Sequence, residues 1–152
     1  MKCDTRQATI DDLDSLAEIF SLYRVFYKQK PDIDSAKSFL FERFEHRESV
    51  ILIATVPDQN KIIGFTQLYP VFSSISMERS LILNDLYVEE GYRKMGIAQS
   101  LIEAAKTFGK QIKAKGLELS TASDNKSAQR LYERNGFERD NEFYHYFLSL
   151  KK

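Results

Sequence analysis

The stretch LNDLYVEEGYRKMGIAQSLIEAA, residues 83–105, runs from an apolar segment through a glycine-punctuated basic turn into a run with helical spacing. Leu86 and Val88 lie in the apolar segment, which reads as a strand, while Ile97, Leu101, Ala104, Ala105, Phe108 and Ile112 fall on one helical face. A helix that begins near Gly96 offers unpaired backbone N–H groups and the positive end of its dipole, so an anion placed there is stabilised. Gly96 lets the backbone approach closely, Arg93 and Lys94 add cationic donors, and the small Ala98 keeps the first turn uncrowded. A pyrophosphate suits this arrangement. The usual nucleotide signatures do not. Gly91 and Gly96 begin as a P-loop begins, but Ile97 and Ala98 stand where Lys and Ser or Thr are needed, and no GxGxxG follows a strand. Taken alone, the turn reads equally as a phosphate cradle or as a chain reversal with Arg93 and Lys94 solvated.

Working outward, TRQATI (5–10) reads as a short strand, and Thr9 stands three residues before Asp12, the spacing of a capping box that opens a helix. Leu13, Leu16, Ala17, Phe20 and Tyr23 give that helix an apolar stripe, widened by Ile19, Leu22 and Phe26. Pro31 ends the region, and Asp34 is placed to cap a second helix carrying Ala36, Phe39, Leu40 and Phe44. SVILIATV (49–56), the turn PDQN and KIIGFTQLY (61–69) form an antiparallel hairpin, and RSLILNDLYV (79–88) is the next strand. A helix from Ile97 to about Lys113 is followed by the strand GLELSTA (116–122), which implies a right-handed crossover and two locally parallel strands. NKSAQRLYERNG (125–136) is a short helix stopped by Asn135 and Gly136, and EFYHYFLSL (142–150) alternates like a final strand. With no internal repeat and no low-complexity linker, residues 1–152 read as a single mixed α/β domain.

The composition narrows the partners. Twenty-two basic and 22 acidic residues give a net charge of zero, so no long-range field favours nucleic acid or an anionic membrane, and any phosphate site must be local. The single cysteine, Cys3, cannot form an intrachain disulfide and has no metal-ligand spacing around it. No signal-like segment or run of roughly 20 apolar residues occurs, so a cytoplasmic protein without a membrane span or a bound metal is expected.

The opening stretch, followed by DNKSAQRLYERNGF (124–137), resembles the two signatures of the GNAT superfamily of acyl-CoA-dependent N-acetyltransferases, in the right order. Through IIGFTQLY and LNDLYV it is closest to the polyamine and small-amine branch, with a likeness also to histone acetyltransferases. The resemblance implies one domain built on a mixed sheet of roughly six to seven strands with about four helices. It also implies acetyl-CoA as cosubstrate, lying between two splayed parallel strands. Around the pyrophosphate it places Arg93, Lys94, Met95, Gly96, Ile97 and Ala98, mainly through backbone N–H groups. Leu86, Tyr87 and Val88 would flank the pantetheine arm, and the Val88 N–H would face the thioester carbonyl as an oxyanion donor. Asn125 and Ala128 would meet the pantetheine arm, and Tyr132 would protonate or stabilise the departing sulfur. From its helical spacing alone, Tyr132 reads as a packed residue.

The acceptor amine must lose a proton, since an alkylammonium has a pKa of about 10. A carboxylate acting through water would serve, and Asp85, on the cofactor strand, is the candidate. The polyamine branch tends to carry a Glu where this chain has Asn84. Both residues also read as ordinary strand positions, and their faces depend on whether a bulge intervenes, because adjacent strand residues otherwise point oppositely. YRVFY (23–27), including Tyr27, and FYHY (143–146) are candidates to line the acceptor pocket or to fill the core, and His145 is a candidate relay. The expected reaction is acetyl transfer to a primary amine of a small molecule by direct attack in a ternary complex. A protein lysine or N-terminus as acceptor, and a noncatalytic acyl-CoA-binding module, are the alternatives. The final strand is apolar enough to pair across a homodimer or to finish the chain's own sheet.

Overall fold

The β-branched runs form the antiparallel pair they predict, β2 at Val50–Thr55 and β3 at Ile62–Ser73. A computed structural model describes residues 2–151, which divide into two compact units, one up to Ser120 and one from Thr121 on. In the first unit β1 (Asp4–Gln7), β2, β3, β4 (Glu78–Val88) and β5 (Leu117–Glu118) make a five-stranded sheet in that order. The first four strands are antiparallel neighbours and β5 runs parallel to β4. Five strands stand where six to seven were expected.

Helices cover both faces. Ile51 and Ile53 of β2 pack with Leu16, Ala17 and Phe20 of α1 (Leu13–Phe26) and with Leu40 of α2 (Ile33–His46). On the other face Leu52 packs with Ala105, and Ala54 with Ile97 and Leu101, all of α3 (Ile97–Gln111). Burial on both sides explains why β2 reads as a continuous apolar run instead of an alternation. Leu101 and Ile102 are fully buried, so truncating either to Ala costs about 2–5 kcal/mol. Leu22, expected in the α1 stripe, is exposed instead.

The helix starts are local chemistry. Thr9 and Asp12 form the expected capping box, which opens a 3-10 turn at Ile10–Asp12 that runs on into α1. Asp12 also takes both Arg6 nitrogens at 2.8 Å. At α2 the cap is Asp32, not Asp34. Asp32 is still outside helical dihedrals and accepts the Ser35 N–H at 3.0 Å, whereas Asp34 already lies in the first turn, where its side chain favours the dipole but cannot cap.

Two departures in the sheet shape the site. Gln67 and Leu68 of β3 are consecutive, yet they pair with Asp85 and Leu83, so Asn84 is the extra residue of a β-bulge. The parallel strand is shorter than GLELSTA predicts. Only Leu81 and Ile82 of β4 have partners on β5, so from Leu83 to Val88 the strand has no parallel neighbour among the described residues.

In the second unit α4 (Lys126–Arg134) ends as expected, with Asn135 as cap and Gly136 at φ +94°. The expected strand at 142–150 is absent: residues 137–151 form neither helix nor strand, and Phe143, Tyr144, Tyr146, Phe147, Leu148 and Leu150 are exposed. An alternating pattern fixes which face a side chain would take, but a strand also needs a partner for its backbone ladder.

Candidate active site

The bulge at Asn84 sets the chemistry of β4. Without it, Leu81 and Leu83 would share a face with Asp85. With it, Leu81, Leu83, Leu86 and Val88 all pack on the α3 side, and Asp85 and Tyr87 turn towards α1. Asn84 and Asp85 also come to lie together, since the exposed Asn84 amide donates to Asp85 Oδ1 at 2.8 Å. The Tyr23 hydroxyl donates to the same oxygen at 3.0 Å, from a helix 62 residues away in sequence. The Gln67 amide donates to Asp85 Oδ2, and Gln67 Oε1 in turn accepts from the Ser49 hydroxyl at 2.8 Å.

Asp85 is only 4% exposed and its three side-chain donors are neutral. Burial pushes its carboxyl above the ordinary carboxylate range, although all three hydrogen bonds pull it back down. The effect spreads to its neighbours. Burial and then the Asp85 charge push Tyr23 well above the ordinary phenol range, and the same causes push Tyr69 up to about 12. Phe20, Tyr27, Phe65 and Tyr87 surround the Tyr23 ring at centroid distances of 6.0, 5.1, 5.6 and 5.9 Å. Tyr27 caps the end of α1 and is 55% exposed, so it forms the outer wall of this aromatic cluster.

Just beyond, the Glu89 N–H donates to Ile63 O of β3 at 2.8 Å. Peptide groups of successive strand residues point to opposite sides, so the Val88 N–H and C=O face away from β3, towards the edge that β5 leaves unpaired. The Val88 carbonyl accepts from Arg93 Nε at 2.9 Å, and the Arg93 guanidinium lies 5.2 and 5.3 Å from the Phe26 and Tyr87 ring centres. The Arg93 N–H is engaged as well, donating to Glu90 O at 3.4 Å. Only the ends of its guanidinium are left to reach outward.

The turn then delivers an uncapped helix. Gly96 sits at φ +82°, which favours glycine, and no side chain caps α3. The first intrahelical bond runs from Ser100 N–H to Gly96 O at 3.1 Å, so the N–H groups of Ile97 and Ala98, at the very start of α3, lack intrahelical partners. The first turn carries no acid, in contrast to α1 and α2. Lys94 and Met95 are exposed beside it, while the Ile97 side chain is buried and offers only its backbone. These donors fit a pyrophosphate, with the unpaired half of β4 continuing from them.

Of the residues singled out by sequence, Tyr27, Asn84, Asp85, Leu86, Tyr87, Val88 and Arg93 through Ala98 all belong to the first unit. Asn125, Ala128 and Tyr132 belong to the second. There Asn125 Oδ1 accepts the Ala128 N–H at 3.2 Å as the cap of α4, and Tyr132 meets Phe137 edge-on at 5.7 Å. His145 lies in the segment without helix or strand, and His46 ends α2, exposed. Nothing in the sequence singles out Gln67 or Ser49, and Tyr23 stands there only as a stripe or pocket-wall residue. No local signal announces partners brought together by the sheet. Among the described residues no group of His, Cys, Asp and Glu is arranged to hold a metal ion.

Known proteins resemble this chain along most of its length. The model of the acetyltransferase (GNAT) family matches residues 13–137. The chain is 48% identical over 145 residues to the uncharacterized N-acetyltransferase YhfO of Bacillus subtilis (strain 168), covering 95% of this chain and 96% of that protein. A crystal structure of a probable acetyltransferase superposes with a TM-score of 0.93 at 40% identity, over 98% of this chain and 99% of the other. The ribosomal-protein-alanine N-acetyltransferase of Brucella melitensis biovar Abortus 2308 shares the fold, with a TM-score of 0.81 at 18% identity over 99% and 100% of the two chains.

Proposed function

The chain belongs to the GNAT family of acetyltransferases and is an acetyl-transfer enzyme, and we propose that its acceptor is the primary amine of a small molecule, attacked directly in a ternary complex with acetyl-CoA. The observation that carries this reading is Asp85, a carboxylate buried among neutral donors beside the unpaired edge of the strand that bears Val88. A buried carboxylate without a cation is stabilised by one that arrives, and the rings of Tyr23, Phe26 and Tyr27 favour an alkylammonium. Asn84 presents a neutral amide beside it, which supports an acceptor with a single ammonium near the reacting end.

In this proposal the N–H groups of Ile97 and Ala98 hold the pyrophosphate of acetyl-CoA, assisted by Lys94 and the helix dipole. The pantetheine arm lies along the open edge of β4, and the Val88 N–H donates to the thioester oxygen as it becomes an oxyanion. Such a donor contributes about 3–4 kcal/mol to the transition state. The ammonium loses a proton towards Asp85, the free amine attacks the carbonyl carbon, the C–S bond breaks, and the nitrogen releases its second proton to solvent, from which Tyr132 regains the one it gives the departing sulfur. Tyr132 is assigned the protonation of the departing thiolate from its place in the second motif. Asn125 caps α4 with its oxygen, so its amide nitrogen is the part assigned to the pantetheine arm.

An acceptor screen tests the reading. With acetyl-CoA held constant, thiol release is followed with simple primary amines, amino acids and lysine-containing peptides. Release with small amines is the expected result. Turnover confined to peptides would replace the acceptor with a protein, and acetyl-CoA binding without thiol release from any amine would make the chain a binding module.

A further inference from the structure

Asp85 is too enclosed to meet a substrate nitrogen itself. It is 4% exposed, Oδ2 takes the Gln67 amide, and Oδ1 takes both the Asn84 amide and the Tyr23 hydroxyl. Tyr23, by contrast, is only half-buried, and its phenol oxygen keeps a lone pair after donating to Asp85. We propose that Tyr23 is the residue that touches the acceptor nitrogen, taking a proton from the ammonium while passing its own phenolic proton to Asp85 Oδ1. The inference rests on the small-amine reading above and names the residue through which that site acts.

The step balances without any further reactant. The ammonium N–H bond breaks and a Tyr23 O–H bond forms. The original Tyr23 O–H bond breaks and an Asp85 O–H bond forms. A cation and an anion thereby become a neutral amine and a neutral carboxylic acid, and Tyr23 ends as it began. Burial favours that direction, because it penalises the charged pair more than the neutral one. Since no phenolate forms, the high affinity of Tyr23 for its proton is no obstacle. Asp85 returns its proton to solvent after the amide product leaves.

The surroundings are arranged for this transfer. Gln67 Oε1 accepts from Ser49, so the Gln67 nitrogen must face Asp85, which keeps Oδ2 an acceptor and directs the incoming proton to Oδ1. Tyr23 from α1, Gln67 from β3 and Asn84 from β4 bond to the carboxylate, and the Tyr69 phenol from β3 also feels its charge. All of these groups are neutral. Tyr27 neighbours the Tyr23 ring, Arg43 of α2 acts on Tyr69, and Arg93 lies over Tyr87. The Tyr23 ring is held by its aromatic neighbours, so removing only the hydroxyl leaves its packing in place.

The test uses acceptor basicity. Initial rates are measured at neutral pH for the whole enzyme, Tyr23→Phe and Asp85→Asn, with trifluoroethylamine, glycinamide, benzylamine and ethanolamine. Trifluoroethylamine is already neutral there, whereas benzylamine and ethanolamine are ammonium ions. The proposal expects both variants to lose about a hundredfold in kcat/KM with the basic amines and less than about threefold with trifluoroethylamine, at unchanged acetyl-CoA affinity. Raising the pH should restore the variants with the basic amines. Equal losses across the panel, or no loss, would overturn the relay while leaving the small-amine reading intact. If Tyr23→Phe no longer binds acetyl-CoA because it is misfolded, the Asp85→Asn pattern decides. Wild-type enzyme that turns over no amine in the panel rejects the small-amine reading, and the relay falls with it.

Discussion

Arg93 Nε donates to the Val88 carbonyl oxygen at 2.9 Å, tying the loop that precedes α3 back to the last residue of β4. Its guanidinium also stacks against Phe26 and Tyr87, so the side chain clamps the strand end. Arg93→Met should therefore act on the chemical step more than on cofactor capture. The expected outcome is a fall of about tenfold in kcat, the equivalent of one hydrogen bond of about 1.4 kcal/mol, with acetyl-CoA affinity changed by less than about threefold. Stopped-flow binding and steady-state rates separate the two. Loss of cofactor binding with kcat intact would return Arg93 to the pyrophosphate.

Gly64 lies opposite Val88 in the β3–β4 ladder, and a Cβ there would stand 3.0 Å from Tyr87 O, 3.3 Å from a Leu101 methyl and 3.4 Å from an Ile97 methyl. The oxygen is backbone and the methyls are fully buried, so none of the three yields easily. Gly64→Ala should cost about 1–3 kcal/mol in urea denaturation and weaken acetyl-CoA binding by displacing both the strand edge and the start of α3. An unchanged Tm and Kd would show that this packing is looser than the distances imply.

Two buried carboxylates should answer pH with opposite signs. Arg6, and then the Thr9 N–H, hold Asp12 below the ordinary value of 3.8, so its contribution is present above that value and lost as pH falls through its lowered one. Asp85 is raised above 3.8, so its contribution is present below that value and lost as pH rises through its raised one. Asp12→Asn is therefore expected to be destabilised by about 1–2 kcal/mol near neutrality, with the deficit shrinking in acid. Asp85→Asn should instead gain on the wild type as pH increases. Urea titrations across the acid range check both, and parallel curves would contradict the assignment.

How far these features could be read from the chain differs by the range of the forces involved. The capping box at Thr9–Asp12, the β2–β3 pair, the α3 stripe and the Gly136 stop were legible because each depends on neighbours within a few residues. The choice of Asp32 over Asp34 was not, since both are good caps and backbone dihedrals decide between them. The bulge at Asn84 leaves no mark on its own strand, because only the count of residues across the ladder reveals it. The Tyr23–Asp85 contact spans 62 residues and depends on that bulge turning Asp85 towards α1. The helix start behind the basic turn was readable, but the return of the Arg93 side chain onto the Val88 carbonyl was not.

Tyr132→Phe tests the acid assigned to the second motif. Removing the hydroxyl should lower kcat by roughly tenfold to a thousandfold and leave acetyl-CoA affinity nearly unchanged. Full activity in the variant would remove Tyr132 from that role.

In the proposed complex the unpaired edge of β4 and the uncapped start of α3 together receive acetyl-CoA. Amide chemical shifts of the labelled enzyme, followed by NMR during titration with acetyl-CoA, test it most directly. The Val88, Ile97 and Ala98 amides are expected to move together and to saturate with the cofactor. Saturable binding that leaves these three amides in place would show that the cofactor sits elsewhere.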